Sequence, residues 1–277
     1  MSSGRWQACA MDPGSSRNPK EELPGMSGVT IVGIIPSRYG STRLPGKALK
    51  PILGKPMIQR VHEQVSRARG LSAVYVATDD ERIADFVESF GGQAIMTSPD
   101  HPSGTDRLAE AAAQLEADIV VNIQGDQPFV DPHMIEELVQ PLLDEPPLQM
   151  STLIHALTRE ESLTDPSVVK VVVDREGNAL YFSRSLIPYP RENVPHPVYE
   201  HIGLYAYRKD FLITFTKLAP TTLELVESLE QLRALEHGCR IRTVETKCAD
   251  NELSGFSIDT PKDIEQAEAM LRERGLE

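Results

Sequence analysis

Three cations close together carry the first hint of chemistry. Arg38, Arg43 and Lys47 fall in the segment I-I-P-S-R-Y-G-S-T-R-L-P-G-K (34–47), directly after the apolar run Val29–Ile35. Gly40, Pro45 and Gly46 bend the backbone there, and Ser41 and Thr42 add hydroxyl donors. Backbone N–H groups and charged side chains in such a loop can together wrap a triphosphate. The plainer alternative is a solvated basic loop. It is not a Walker A loop: five residues separate Gly40 from Gly46, and Ala48 follows Lys47 where Ser or Thr is required. No G-x-G-x-x-G dinucleotide fingerprint is present.

Carboxylates supply the complementary chemistry. Asp126 lies in Q-G-D-Q-P (124–128), just after the apolar run D-I-V-V-N-I. A carboxylate at the end of a strand is placed to hold Mg²⁺, although an Asp after Gly is also an ordinary turn residue. Asp259 precedes Pro261 and reads, alone, as a helix N-cap. Thr78, Asp79 and Asp80 follow a strand and precede a helix, and Asp80 is best read as a cap. Ser103, Gly104, Thr105 and Arg107 belong to S-G-T-D-R, whose helix-start N–H groups suit an anion or a base edge or simply need capping. Arg184 ends A-L-Y-F-S-R. His201 and Tyr205 alternate along one strand and share a face. Glu230 and Gln231 lie in a leucine-rich helical segment.

The elements that must position these residues follow from periodicity. Strands are expected at Val29–Ile35, Ala73–Ala77, Gln93–Met96 and Asp118–Ile123, alternating with helices on the faces of Met57–Ala68, Glu81–Phe90, Leu108–Leu115 and 132–143. Such alternation predicts a parallel sheet with helices on both faces, with ligands bound beyond the carboxyl ends of the strands. The second half reads differently. Val168–Val173 and Ala179–Phe182 flank an R-E-G-N turn as a hairpin, and Gly203–Tyr207 is a further strand. A Pro-rich loop spans 186–197. A helix over Leu223–Leu235 stops near Gly238, a strand covers 241–245, and a last helix starts at Pro261.

Composition narrows the partners. The net charge of −13 argues against a nucleic-acid backbone and makes the cationic loop stand out. No apolar run approaches a membrane span. Cys9, Cys239 and Cys248 form neither a metal spacing nor an even disulfide set, which fits a reducing cytoplasm with idle thiols. Residues 1–28, rich in Ser, Gly and Pro, read as a disordered leader without a secretory core. Residues 29–277 read as one domain, with a nucleotide-binding lobe over about 29–150 and a second lobe over about 151–277.

The loop 34–47 resembles the signature of sugar-activating nucleotidyltransferases, particularly the cytidylyltransferases that make CMP-sugars. Q-G-D-Q-P, A-L-Y-F-S-R, H-I-G-L-Y-A-Y (201–207), L-E-Q-L-R (229–233) and S-I-D-T-P-K-D (257–263) narrow the resemblance to the 3-deoxy-manno-octulosonate (Kdo) cytidylyltransferases. Several motifs in one order are more specific than any alone. The resemblance implies a Rossmann-like, mostly parallel α/β sheet with helices on both faces, plus a smaller β-rich lobe that binds the sugar. It implies coupling of CTP and Kdo to CMP-Kdo and pyrophosphate, for lipopolysaccharide biosynthesis, in a homodimer. Another sugar acid such as sialic acid is the alternative substrate, and a non-catalytic nucleotide-sugar-binding module the alternative class. Asp126 and Asp259 become Mg²⁺ ligands, with Arg38 and Lys47 catalytic beside them. Ser41, Thr42, Arg43, Thr78, Asp79, Ser103, Gly104, Thr105 and Arg107 become nucleotide contacts. Gln124, Arg184, His201, Tyr205, Glu230 and Gln231 become sugar contacts. Gln127 stands where the family more often has Glu, and Asp106 where it has Glu in S-G-T-E-R.

Overall fold

Strand β1 (Ile31–Ser37) is apolar on both faces. Ile31 and Ile35 enter one core while Val32 and Ile34 enter another, as a side-chain period of two requires. A strand buried on both sides belongs in the middle of a helix-covered sheet. The computed structural model, which describes residues 21–41, 43–158, 160–248 and 255–275, places it there.

After β1, the first half contains the two-residue strands β2 (Pro51–Ile52) and β3 (Lys55–Pro56), helix α1 (Met57–Val65), β4 (Ala73–Thr78) and α2 (Glu81–Ser89). It continues with β5 (Gln93–Met96), α3 (Gly104–Ala113), β6 (Ile119–Asn122) and α4 (Pro132–Asp144). The second half contains β7 (Met150–Ala156), α5 (Glu160–Thr164), β8 (Lys170–Val173), β9 (Ala179–Ser183) and β10 (Tyr199–Arg208). It ends with α6 (Lys209–Phe215), α7 (Thr222–Glu227), α8 (Gln231–Glu236), β11 (Arg242–Glu245) and α9 (Pro261–Glu273).

The main sheet runs β11-β7-β10-β6-β1-β4-β5. Within it β6, β1, β4 and β5 are mutually parallel, and β10 runs antiparallel to both β6 and β7. The hairpin β8–β9 attaches to β10. Residues of α1, α2 and α4 fill one core and residues of α3, α6 and α8 the other, so helices cover both faces. Because β6 pairs with β10, the two halves of the chain share one sheet.

Chain order reverses direction across the sheet between β1 and β6: β4 and β5 lie to one side of β1, and β6 lies to the other. That switch point opens a crevice at the carboxyl ends of the two strands. A third, smaller core of Leu44, Ile52, Met57, Phe129, Ile258, Ala267 and Leu271 lies beside it. This core docks α9 against the loop after β1 and the loop after β6.

Four expectations need correction. Strand β7 and helix α6 were not anticipated. The expected helix over Leu223–Leu235 is two short helices, broken where Ser228 adopts a left-handed backbone (φ 53°). The first strand lies two residues later at each end. The end of the expected disordered leader is also packed. Leu23 is buried in the main core, Gln140 Nε2 donates to the Pro24 carbonyl (3.2 Å), and Val29 N donates to Met26 O (2.8 Å). One apolar side chain meeting an apolar surface suffices for that, in a segment otherwise rich in turn formers. Residues 1–20 lie outside the described residues.

Candidate active site

The loop after β1 is shaped by its own backbone. Ser41 N and Gly46 N both donate to the Tyr39 carbonyl (2.9 and 3.2 Å), and Gly46 takes a left-handed φ of 65° to make that turn. The Arg82 guanidinium lies 3.4 Å from the centroid of the Tyr39 ring and holds it from the α2 side. The turn delivers Lys47 into a 3-10 helix (Lys47–Leu49) whose Ala48 is buried.

The loop after β6 meets this one closely. A Cβ on Gly125 would lie 3.0 Å from the Pro36 carbonyl, a tight contact that a larger residue could make only if the backbone gave way, so glycine lets the Q-G-D-Q-P turn rest closely against the end of β1. Gln127 N donates to Gln124 O (3.2 Å) and closes the turn, leaving Asp126 at its tip. From the third direction, Ile258 N donates to the Asp126 carbonyl (2.9 Å) while the Ile258 side chain sits in the small core. Asp259 follows. It is not the helix cap expected of it: Thr260 caps α9 in a capping box with Asp263. The Asp259 carboxylate is thereby left for other contacts.

These three segments converge on one atom. Lys47 Nζ lies 2.8 Å from Asp126 Oδ2 and 2.9 Å from Asp259 Oδ1, with 14% of the Lys47 side chain exposed. Arg43 adds a second cation, 3.1 Å from Asp259 Oδ1. Two carboxylates sharing one ammonium form a compact, charge-assisted cluster.

The cluster lies on the wall of a cavity of about 510 Å³ at the switch point. Arg38, Ser41, Arg43 and Lys47 line it from the first loop, and Gln124, Gly125 and Asp126 from the second. Ser103, Gly104, Thr105 and Arg107 line it from the start of α3, and Glu230 and Asp259 close it. Ser103 caps α3, accepting from Asp106 N (3.1 Å). Glu230 accepts from Thr105 Oγ1, and burial pushes its carboxyl above the usual range against the pull of that hydrogen bond.

The other anticipated residues, apart from the lining residue Gln124, sit away from the cavity lining. Thr78 is buried at the end of β4, and Thr97 N donates to its carbonyl (2.9 Å). Asp79 stands behind the lining, accepting from Arg107 Nη2 (2.9 Å) and so fixing that guanidinium. Asp80 caps α2, as expected. Arg184 donates to the carbonyls of Glu227, Pro166 and Ser228 (2.8, 2.9 and 3.3 Å). His201 pairs through Nε2 with Thr152 Oγ1 (3.0 Å) and packs edge-on against Phe182; burial lowers its pKa to about 3, so it is neutral. Tyr205 packs against His201, and its phenol is pushed well above its ordinary pKa by burial. Gln231 is buried on α8. Gln124 reaches across to the Gly203 carbonyl (3.0 Å), at the bulge that interrupts the β10–β7 pairing. Thr42 lies outside the described residues.

The lining also includes polar side chains outside the sequence-derived site, among them Asn122 and His101. Asn122 ends β6 under the cavity, buried, with no hydrogen-bond partner for Oδ1 among the described residues. A polar residue closing an otherwise apolar strand was its available signal. His101 also lines the cavity and is held by Glu110; nothing in its local sequence marks it.

A family pattern described as Cytidylyltransferase matches residues 32–243. A 3-deoxy-manno-octulosonate cytidylyltransferase of Syntrophotalea carbinolica is 51% identical over 88% of this chain and 99% of its own length. An 8-amino-3,8-dideoxy-manno-octulosonate cytidylyltransferase of Shewanella sediminis is 52% identical over 88% of this chain and 99% of its own. A solved CMP:2-keto-3-deoxy-manno-octonic acid synthetase complexed with CTP is similar in structure, with a TM-score of 0.83 and 47% identity over 88% of this chain and 99% of that one. With such identity along nearly its whole length, the chain belongs to the 3-deoxy-manno-octulosonate cytidylyltransferase family of nucleotidyltransferases.

Proposed function

We propose that this chain joins CTP to Kdo, giving CMP-Kdo and pyrophosphate. The observation that carries the reading is Lys47 Nζ held between Asp126 and Asp259 on the wall of a cation-lined cavity at the sheet's switch point. The anomeric hydroxyl of the sugar attacks the α-phosphorus. A new O–P bond forms, the bond to the β-phosphate oxygen breaks, and the hydroxyl gives up its proton. Little covalent work falls to the protein, which must align two substrates and neutralise developing negative charge. Arg38, Arg43 and Lys47 bind and orient the phosphates. The N–H groups at the start of α3 and the Arg107 guanidinium, itself fixed by Asp79, face the nucleotide. Gln124 and Glu230 offer hydrogen bonds to sugar hydroxyls.

Asp126 and Asp259 suit Mg²⁺, because two hard carboxylate donors already converge on one cationic atom. Bound there, the ion would supply Lewis-acid polarisation of a phosphoryl oxygen. We further infer a homodimer. Exposed apolar side chains on β9 (Leu180), on the Pro-rich segment (Tyr189, Val194) and on α7 (Leu225, Val226) support it. Cys239 and Cys248 are thiols rather than disulfide sulfurs, which suits a reducing cytoplasm, and among the described residues no helix is long and apolar enough to cross a membrane.

The test is pyrophosphate release from CTP with and without Mg²⁺, against Kdo, its 8-amino-8-deoxy analogue and sialic acid, with the product identified by mass. The 8-amino sugar is included because the Shewanella relative is as similar as the Kdo-named one. Mg²⁺-dependent CMP-Kdo formation is expected. CTP binding without turnover would overturn the enzymatic reading, and a strong preference for another sugar would overturn the substrate.

A further inference from the structure

Asp131, His133 and Cys248 come together on the side of the Q-G-D-Q-P turn that leads into α4, with ligand atoms all within 4.8 Å of one another. We propose that they form a second metal site, selective for a borderline transition ion such as Zn²⁺. None of the three lines the cavity that holds Lys47.

The donor set points to the ion. A thiolate, an imidazole and a carboxylate are the ligands zinc takes, in three-ligand sites that leave a fourth position for water. Mg²⁺ prefers oxygen donors and keeps its waters, so it would choose Asp126 and Asp259 instead. Ionised Asp131 and Cys248 would together balance a divalent charge. Asp131 Oδ1 lies 2.9 Å from His133 Nδ1 and also accepts the His133 backbone N–H at 2.9 Å, which fixes both side chains at the first turn of α4. Cys248 is buried in the same apolar core as Val130 and Met134, a setting that strengthens coordination by excluding water. Around a tetrahedral zinc the ligand atoms stand roughly 3.5 Å apart.

Such an ion would tie the start of α4, and with it the Asp126 turn, to the segment following β11. Its role is that of a staple, and the chemistry of the cavity does not depend on it.

The test uses the full chain without an affinity tag, reduced by a phosphine, and titrated with Co²⁺ as a visible substitute. We expect a thiolate-to-cobalt charge-transfer band that saturates at one equivalent, is erased by Zn²⁺, and is indifferent to Mg²⁺. Zn²⁺ at a hundredfold excess over its Kd should raise Tm by roughly 5 °C. Cys248→Ser should abolish the band, and His133→Ala should weaken Co²⁺ binding by about a hundredfold, while Cys239→Ser and Asp126→Asn leave both unchanged. If Cys248→Ser does not fold, the half-exposed His133→Gln decides. A wild-type chain without the band would overturn the proposal. So would a band that survives Cys248→Ser, an undiminished Co²⁺ affinity in His133→Gln, or a band that disappears with Cys239→Ser or Cys9→Ser.

Discussion

Lys47 holds one ammonium between two carboxylates, so its removal would leave Asp126 and Asp259 facing each other without a counter-charge. Lys47→Met is expected to reduce turnover on the order of a thousandfold, because in the proposed reaction that cation also serves the phosphates. Asp126→Asn and Asp259→Asn should each lose a similar factor while folding normally, since both carboxylates sit at a cavity rim rather than in a core. Near-normal Mg²⁺-dependent rates in either would remove that aspartate from the reaction. His201 makes a separate prediction. Its folded pKa of about 3 lies below the unfolded value, so the unfolded chain binds the extra proton between those limits. Stability should therefore be fully present above about pH 6.5 and decline toward pH 3, by roughly 2 kcal/mol on reaching pH 5. Denaturant titrations of wild type and His201→Asn across that range would check it; an unchanged slope in the variant would assign the acid loss elsewhere.

At the scale of elements, Leu23 shows how a segment poor in pattern can still be fixed. It is buried against the main core, and a Cβ on Gly70 would lie 2.9 Å from its side chain. Leu23→Ala should destabilise the fold by roughly 2 kcal/mol, read from a shifted urea midpoint at constant slope. A change within a few tenths would mean that the contact contributes nothing. No periodicity announced Leu23, because one apolar residue among turn formers carries no period. The parallel half was legible for the opposite reason. β1 and β6 are buried almost throughout, and the helices after β4, β5 and β6 start at the capping residues Asp80, Ser103 and Asp131, so run length and cap residues agree. The break between α7 and α8 was hidden because the leucines on both sides keep a helical spacing, and the left-handed Ser228 has no glycine to mark it. The same limit applied to the site. Loop composition marked Lys47 and Asp126. Asp259 could be joined to them only through family resemblance, since its approach depends on the small core of Leu44, Phe129 and Ile258.

For the whole molecule, the exposed apolar residues raise a question that composition leaves open. Leu225 and Val226 on α7 are 67% and 76% exposed, and Leu180 on β9 is 60% exposed. The two elements are tied together by Ser183 Oγ and the Arg184 backbone N–H, which donate to the Glu227 carboxylate (2.7 and 3.0 Å). The apolar groups therefore sit on neighbouring, mutually braced elements, where large exposed side chains usually mark a contact surface. With a net charge of −13, two copies also repel one another, so an interface has to supply enough apolar burial to overcome that. If this surface joins two copies, sedimentation of the wild type at micromolar concentration should give the dimer mass, with association strengthening as salt screens the repulsion. Leu225→Glu places a charge on the surface without touching the cavity. It should weaken association by at least about tenfold, the cost of roughly 1.4 kcal/mol of lost burial, while the monomer keeps its fold by circular dichroism. A wild type that sediments as a monomer would rule out the dimer. A Leu225→Glu variant that remains as tightly paired as the wild type would move the interface away from α7.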